Sequence, residues 1–127
     1  MQKKSSLTKA EEQIMLILWK IKKGFIKDII RHIPGKKPAY NTVSTIVRIL
    51  EKKGYIKHIV YGTTYQYLPA VSKEKYRTNC VQELIKKYFN NSFSSLAHCF
   101  YKKENIDIAE VDEALKMLEE IKKRNRE

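Results

Sequence analysis

All four glycines (24, 35, 54 and 62) and all three prolines (34, 38 and 69) fall between residues 24 and 69 of this 127-residue chain. Glycine and proline interrupt regular structure more strongly than any other residues, so this stretch is expected to hold short elements joined by tight turns. Neither residue occurs beyond Pro69, which leaves the rest of the chain free to run as helices. The chain therefore divides into residues 1–70 and 71–127. That length suits one domain, or a small domain with a helical part appended.

Hydrophobic spacing fills in the first part. Thr8 followed by Glu11 forms a capping box for a first helix. Ile14, Ile17, Leu18 and Ile21 then follow helical spacing up to a stop at Gly24. A second short helix carries Ile26, Ile29, Ile30 and Ile33 and stops at Pro34-Gly35. A third covers residues 39–53, with Val43, Ile46, Val47 and Leu50 inward and Gly54 at its C-terminal stop. The period then changes to two. Residues 55–60 and 64–68 are β-branched and aromatic runs joined by Tyr61-Gly62-Thr63, the pattern of a hairpin. A two-stranded hairpin needs support, and the three helices must provide it. Three helices followed by a hairpin is the order of a winged helix-turn-helix in a mainly α protein, with any small α+β domain as the rival.

Residues 71–127 are expected to be helical. One helix covers residues 72–89, with Val81, Leu84, Ile85 and Tyr88 on one face. Asn90-Asn91 breaks it, and a short apolar segment follows at residues 93–101. The last helix spans residues 107–124, where Ile108, Val111, Leu115 and Leu118 alternate three and four apart. Helices of this size have few places to bury such stripes within one chain, so a homodimer is expected, with ordinary packing inside the chain as the alternative.

Charge is concentrated in the first part. Residues 1–70 hold 14 Lys/Arg against 4 Asp/Glu, a net +10, whereas residues 71–127 hold 12 against 10, a net +2. Such asymmetry points to a polyanionic partner. No segment approaches the roughly 20 apolar residues of a membrane span. The basic start at residues 1–4 leads into Ser5 and Ser6, which is not the pattern of a secretory signal. Two cysteines, Cys80 and Cys99, are too few for a disulfide scaffold, so a cytoplasmic chain with reduced thiols is expected. No phosphate-binding glycine loop, nucleophile elbow or H-E-x-x-H occurs, so no enzyme and no cofactor is expected. Adjacent His98 and Cys99 diverge by about 100° on a helix, a poor chelate, and no metal site is expected.

The third helix carries the chemistry. Its inward residues leave Asn41, Thr42, Ser44, Thr45 and Arg48 on outer faces, with Tyr40 at its start. Asparagine suits adenine, arginine suits guanine and hydroxyls suit either base or phosphate. Lys37 precedes the helix, Lys52 and Lys53 end it, and Lys57 follows, all placed to meet phosphates. Tyr61 and Thr63 at the hairpin tip are placed to reach an adjacent groove or the backbone. Double-stranded DNA is therefore the expected partner. The same surface docking a protein or RNA without operator specificity is the alternative. A chain cut after Leu68 is expected to fold and to bind DNA weakly.

These residues also carry a resemblance. Leu7-Thr8-x-Ala10-Glu11-x-x-Ile14-Met15-x-x-Leu18-Trp19, Ala39-Tyr40-x-Thr42-Val43-x-Thr45, Glu51-Lys52-Lys53-Gly54-Tyr55-Ile56 and Gly62-x-x-Tyr65-x-Tyr67-x-Pro69 resemble the penicillinase-repressor family (BlaI/MecI/CopY type) over nearly the whole chain. The resemblance implies a homodimeric winged-helix repressor that binds a palindromic operator of a resistance or metal-homeostasis operon. In the family's β-lactam branch it implies release of the DNA when a membrane sensor metalloprotease triggers cleavage within the dimerisation helices. The corresponding bond here is Cys99–Phe100, with Cys99 where the β-lactam repressors have asparagine. Thr63 stands where many relatives carry arginine, and the paired cysteine motifs of the copper-responsive branch are absent.

Overall fold

Thr8 begins the fold as the sequence pattern requires. Its backbone N–H donates to Glu11 Oε1 at 2.8 Å, and its hydroxyl accepts from the Glu11 N–H at 3.2 Å. This reciprocal pair satisfies two of the free donors at the start of α1 (Lys9–Ile21). The structure is a computed structural model that describes residues 7–101 and 106–126, so the basic start at residues 1–4 lies outside it. The order is α1, α2 (Ile26–His32), α3 (Tyr40–Lys52), β1 (Ile56–Tyr61), β2 (Thr64–Pro69), α4 (Lys73–Tyr88), α5 (Phe93–His98) and α6 (Ile108–Arg126).

The first three helices pack around Ile14, Met15, Leu18, Ile29, Val43, Val47 and Leu50, all essentially solvent-free. The helical periodicity of the sequence had placed each of these except Met15 on an inward face. α1 stops at Ile21, earlier than the glycine, because Lys22 takes up a positive φ of 76°. Gly24 has a different job. Its N–H and C=O exchange hydrogen bonds with the C=O and N–H of Tyr67 at 2.9 and 2.8 Å, adding a one-residue bridge to the hairpin. A Cβ there would lie 3.0 Å from Ile21 Cδ1 and 3.1 Å from Asp28 Cβ, so the approach needs a residue without a side chain.

β1 and β2 pair antiparallel, with Tyr61 opposite Thr64 and Ile56 opposite Pro69. Tyr61 thus belongs to the strand, and Gly62-Thr63 alone form the turn. Gly62 has φ 64° while Thr63 is not among the positive-φ residues. That combination matches a two-residue mirror-image turn with glycine first, whose twist suits a hairpin. Three helices and a hairpin wing make this a winged helix-turn-helix.

Packing continues past residue 70. Val71 is buried, and its carbonyl accepts from Trp19 Nε1 at 2.8 Å. Tyr76 on α4 meets the Trp19 ring at 5.5 Å and the Tyr55 ring edge-on at 5.8 Å. One compact unit accordingly runs through Val81, and a second begins at Gln82. In the second unit α4 ends at Asn90 and Asn91, both left-handed, with the Asn91 N–H closing back on the Ile85 carbonyl at 3.1 Å. α4, α5 and α6 bury no residue. Val81, Leu84, Tyr88, Ile108, Val111, Leu115 and Leu118 are all exposed, and Ile85 is half-buried.

Candidate nucleic-acid interface

The interface is built on α3. Its N-cap is Ala39, and Pro38 disfavours helical backbone at Lys37, so no earlier start competes. Val43, Val47 and Leu50 sink into the core and fix the rotation of the helix. The opposite stripe is then Asn41, Thr45, Arg48 and Lys52, all exposed, with Thr42 exposed at its edge. Thr45 Oγ1 donates to the Asn41 carbonyl at 2.8 Å, an i to i−4 bond.

Three of the expected contact residues are occupied within the protein. Ser44 is only 7% exposed and does not lie on an outer face. The helical turn sets it beside the core residues Val43 and Val47, and its Oγ accepts from Arg48 Nη2 at 3.3 Å. Ser44 therefore positions the arginine. Lys53 is half-buried at the C-cap of α3, with its Nζ 2.8 and 3.0 Å from the two carboxylate oxygens of Glu11. Lys37 donates to the Arg31 carbonyl at 3.0 Å and to the Ile33 carbonyl, satisfying acceptors at the end of α2.

Tyr40, Lys57, Tyr61 and Thr63 are exposed. Tyr61 leans edge-on against Phe25 at 5.6 Å, which ties the end of β1 to the start of α2. A shallow cleft brings Lys27 and Arg31 of α2 beside Tyr40 and Thr64. Lys27 shows in the sequence only as one positive charge among many. Arg31 gives no signal there, because its place next to α3 depends on the angle between two helices. Asp28 holds the cleft floor, accepting from the Phe25 N–H at 2.9 Å and pairing with Arg31 at 3.5 Å.

Burial pushes the Tyr67 hydroxyl up, and the nearby Glu51 carboxylate adds to the shift. Tyr67 is thus a neutral packing ring under the wing. In the second unit, Cys99 is the C-cap of α5, and Phe100 follows it in an exposed turn held by a 3.0 Å bond from its N–H to the Ala97 carbonyl.

Residues 7–120 match the family model described as Penicillinase repressor. The chain belongs to the penicillinase repressor family. Its members are transcriptional repressors and not enzymes. The penicillinase repressor of Bacillus licheniformis is 24% identical over 129 residues, covering all of both chains. The methicillin resistance regulatory protein MecI of Staphylococcus aureus strain N315 is 27% identical over 113 residues, covering 88% of this chain and 92% of that one. Among solved structures, the DNA-binding domain of the repressor BlaI is similar with a TM-score of 0.51 and 25% identity, over 60% of this chain and 94% of that one. That match spans the winged-helix share of the family architecture. Among the described residues no helix is long and apolar enough to cross a membrane.

Proposed function

We propose that the chain is a homodimeric transcriptional repressor that binds a palindromic DNA operator. One observation carries the reading. The stripe Asn41, Thr45, Arg48 and Lys52 projects from a helix whose opposite face is fixed in the core, and an exposed glycine turn stands beside it as a wing. A helix of this width fits the major groove, where asparagine, threonine and arginine discriminate bases. Lysines on the same face and on β1 neutralise phosphates.

Dimerisation follows from the second unit. α4 packs on the first unit through Tyr76, but α6 buries no residue and gains little from folding alone, and both helices carry regular apolar stripes. A second copy of the chain is the partner that covers them. Two recognition helices then read half-sites about one helical turn, roughly 34 Å, or a small multiple apart. The regulated operon is of the resistance type, as the roles of the penicillinase repressor and MecI suggest. Cleavage at Cys99–Phe100, triggered by a membrane sensor protease, would separate the two DNA-binding units. The repressor acts in the cytoplasm, where its operator is.

The test is a mobility shift of the full chain on its own upstream region against random duplex at about 150 mM salt, where non-specific phosphate binding is weak. A specific shift with two chains per duplex is the expected result. Binding that ignores sequence would overturn it and favour a surface that docks protein or RNA.

A further inference from the structure

His58 takes no part in the reading above, yet it joins three elements. The wing meets the rest of its unit mainly at its base, where Ile56 and Tyr67 are buried, while Ile59, Val60, Tyr61 and Tyr65 further out are exposed. Tyr61 meets Phe25 near the tip, and a further contact, to α3, stands on β1 opposite Tyr67. His58 Nδ1 on β1 meets Glu51 Oε2 on α3. The imidazole lies flat on the Tyr65 ring, with centroids 4.1 Å apart and planes 17° from parallel. Tyr67 meets the imidazole at 6.1 Å and 67°, and Tyr65 at 6.3 Å and 83°, closing the cluster edge-on.

The register explains the stack. His58 pairs with Tyr67 and Val60 with Tyr65, so His58 and Tyr65 are diagonal neighbours on one face of the hairpin. The stack restricts the imidazole and holds its Nδ1 toward α3. Glu51 lies three residues beyond Arg48, on the flank of the reading stripe. A contact at Glu51 therefore reports the rotation of α3 directly to β1. The Glu51 and His58 side chains are 30% and 31% exposed, enough shielding for the contact to matter and too little for it to hold up the fold.

We propose that Glu51 and His58 are positioning residues that fix the spacing between wing and recognition helix, so that Tyr61 and Thr63 meet the duplex in register with Asn41, Thr45 and Arg48. This rests on the DNA-binding reading of the same surface. Without the contact the recognition helix still enters its groove, but the wing must be ordered at the moment of binding, and its contacts lose that ordering free energy.

The experiment is a hydroxyl-radical footprint and affinity titration of the full chain on a duplex of its own upstream region. The variants are Glu51→Ala, His58→Ala, the double variant and Glu51→Gln. Glu51→Ala and His58→Ala are expected to keep central protection in each half-site, lose the flanking protection given by the wing and bind about three- to fivefold more weakly. The double variant should be no weaker than either single one. Glu51→Gln, which keeps an acceptor for the imidazole N–H, should restore most of the flank. Uniform fading of the whole footprint would show a merely structural role and overturn the proposal, as would an intact flank in both single variants. A wild-type chain that protects no site would overturn the DNA-binding reading beneath it as well.

Discussion

Lys53 Nζ lies 2.8 Å from Glu11 Oε1 and 3.0 Å from Oε2, so a contact across 42 positions ties the end of α3 to the first turn of α1. Glu11 is 5% exposed, and a carboxylate that dry needs its charge answered. Lys53 answers it, and the Thr8 N–H supplies a further donor. Lys53→Ala is therefore expected to lower folding stability by about 1–3 kcal/mol, reduced from the value for a fully buried pair because the lysine is partly exposed. Urea unfolding at pH 7 measures this. The salt slope of DNA binding should be unchanged, and a slope reduced by about one would mean that Lys53 reaches a phosphate after all.

The same pair sets an acid limit. Burial raises the Glu11 pKa, but Lys53 and Thr8 outweigh it and leave the carboxyl below its ordinary 4.5. A folded-state value below the unfolded one adds stability that is full above about pH 4.5 and is lost as the pH falls through the folded value. In Lys53→Ala the burial remains and the counter-charge is gone. The stability gap between wild type and variant should then shrink as the pH falls from 7 towards 4. A gap independent of pH would show that the ion pair does not supply it.

The site for a truncation moves with the structure. A cut after Leu68 removes Val71, whose carbonyl holds Trp19, and Tyr76, which covers Trp19 and Tyr55. Such a chain is expected to lose about 2–4 kcal/mol, while a cut after Val81 leaves a stable domain. Thermal unfolding of the two fragments decides between them, and equal midpoints would make α4 irrelevant to the first unit.

The helices, the hairpin and the core were legible because each rests on local periodicity: Thr8 with Glu11, Val43 with Val47 and Leu50, Gly62 between alternating strands. The exposed polar stripe on α3 was legible for the same reason. What the sequence hid depends on distance in space. Glu11 looks complete as a capping residue, and nothing local announces Lys53 as its partner. Ser44 is polar and reads as outward, yet the helix turns it inward, where Arg48 satisfies its hydroxyl. Gly24 reads as a helix stop, but its use as a close bridge to Tyr67 appears only when the hairpin is laid against it. The change at Pro69 marks where the breakers end, and Tyr76 shows that packing does not end with them.

Arg48 is expected to carry base discrimination. Its Nη2 donates to Ser44 at 3.3 Å, which restrains the side chain before it meets a base edge. Arg48→Ala should cost about 1–3 kcal/mol on the preferred duplex and relax the preference at one base pair per half-site. Ser44→Ala should weaken the preference less, since it frees the arginine without removing it. Binding-site selection from random duplexes checks both, and an unchanged preference in Arg48→Ala would mean that α3 sits differently in the groove.

Dimerisation yields the sharpest quantitative expectation. Leu84 and Leu115 are exposed in the single chain, so charging them removes little internal packing. Leu84→Glu with Leu115→Glu should leave first-unit stability unchanged, while sedimentation shows a monomer. Linking two half-site contacts through one dimer raises affinity by about 10²- to 10⁴-fold, because the second contact forms at high effective concentration. The double variant should lose that factor on the full palindrome and keep its affinity for an isolated half-site. The comparison of the two duplexes separates a lost dimer from a damaged reading helix, since damage to α3 would weaken both alike. Retention of full affinity on the palindrome by a chain that sediments as a monomer would place the source of operator strength within a single winged helix.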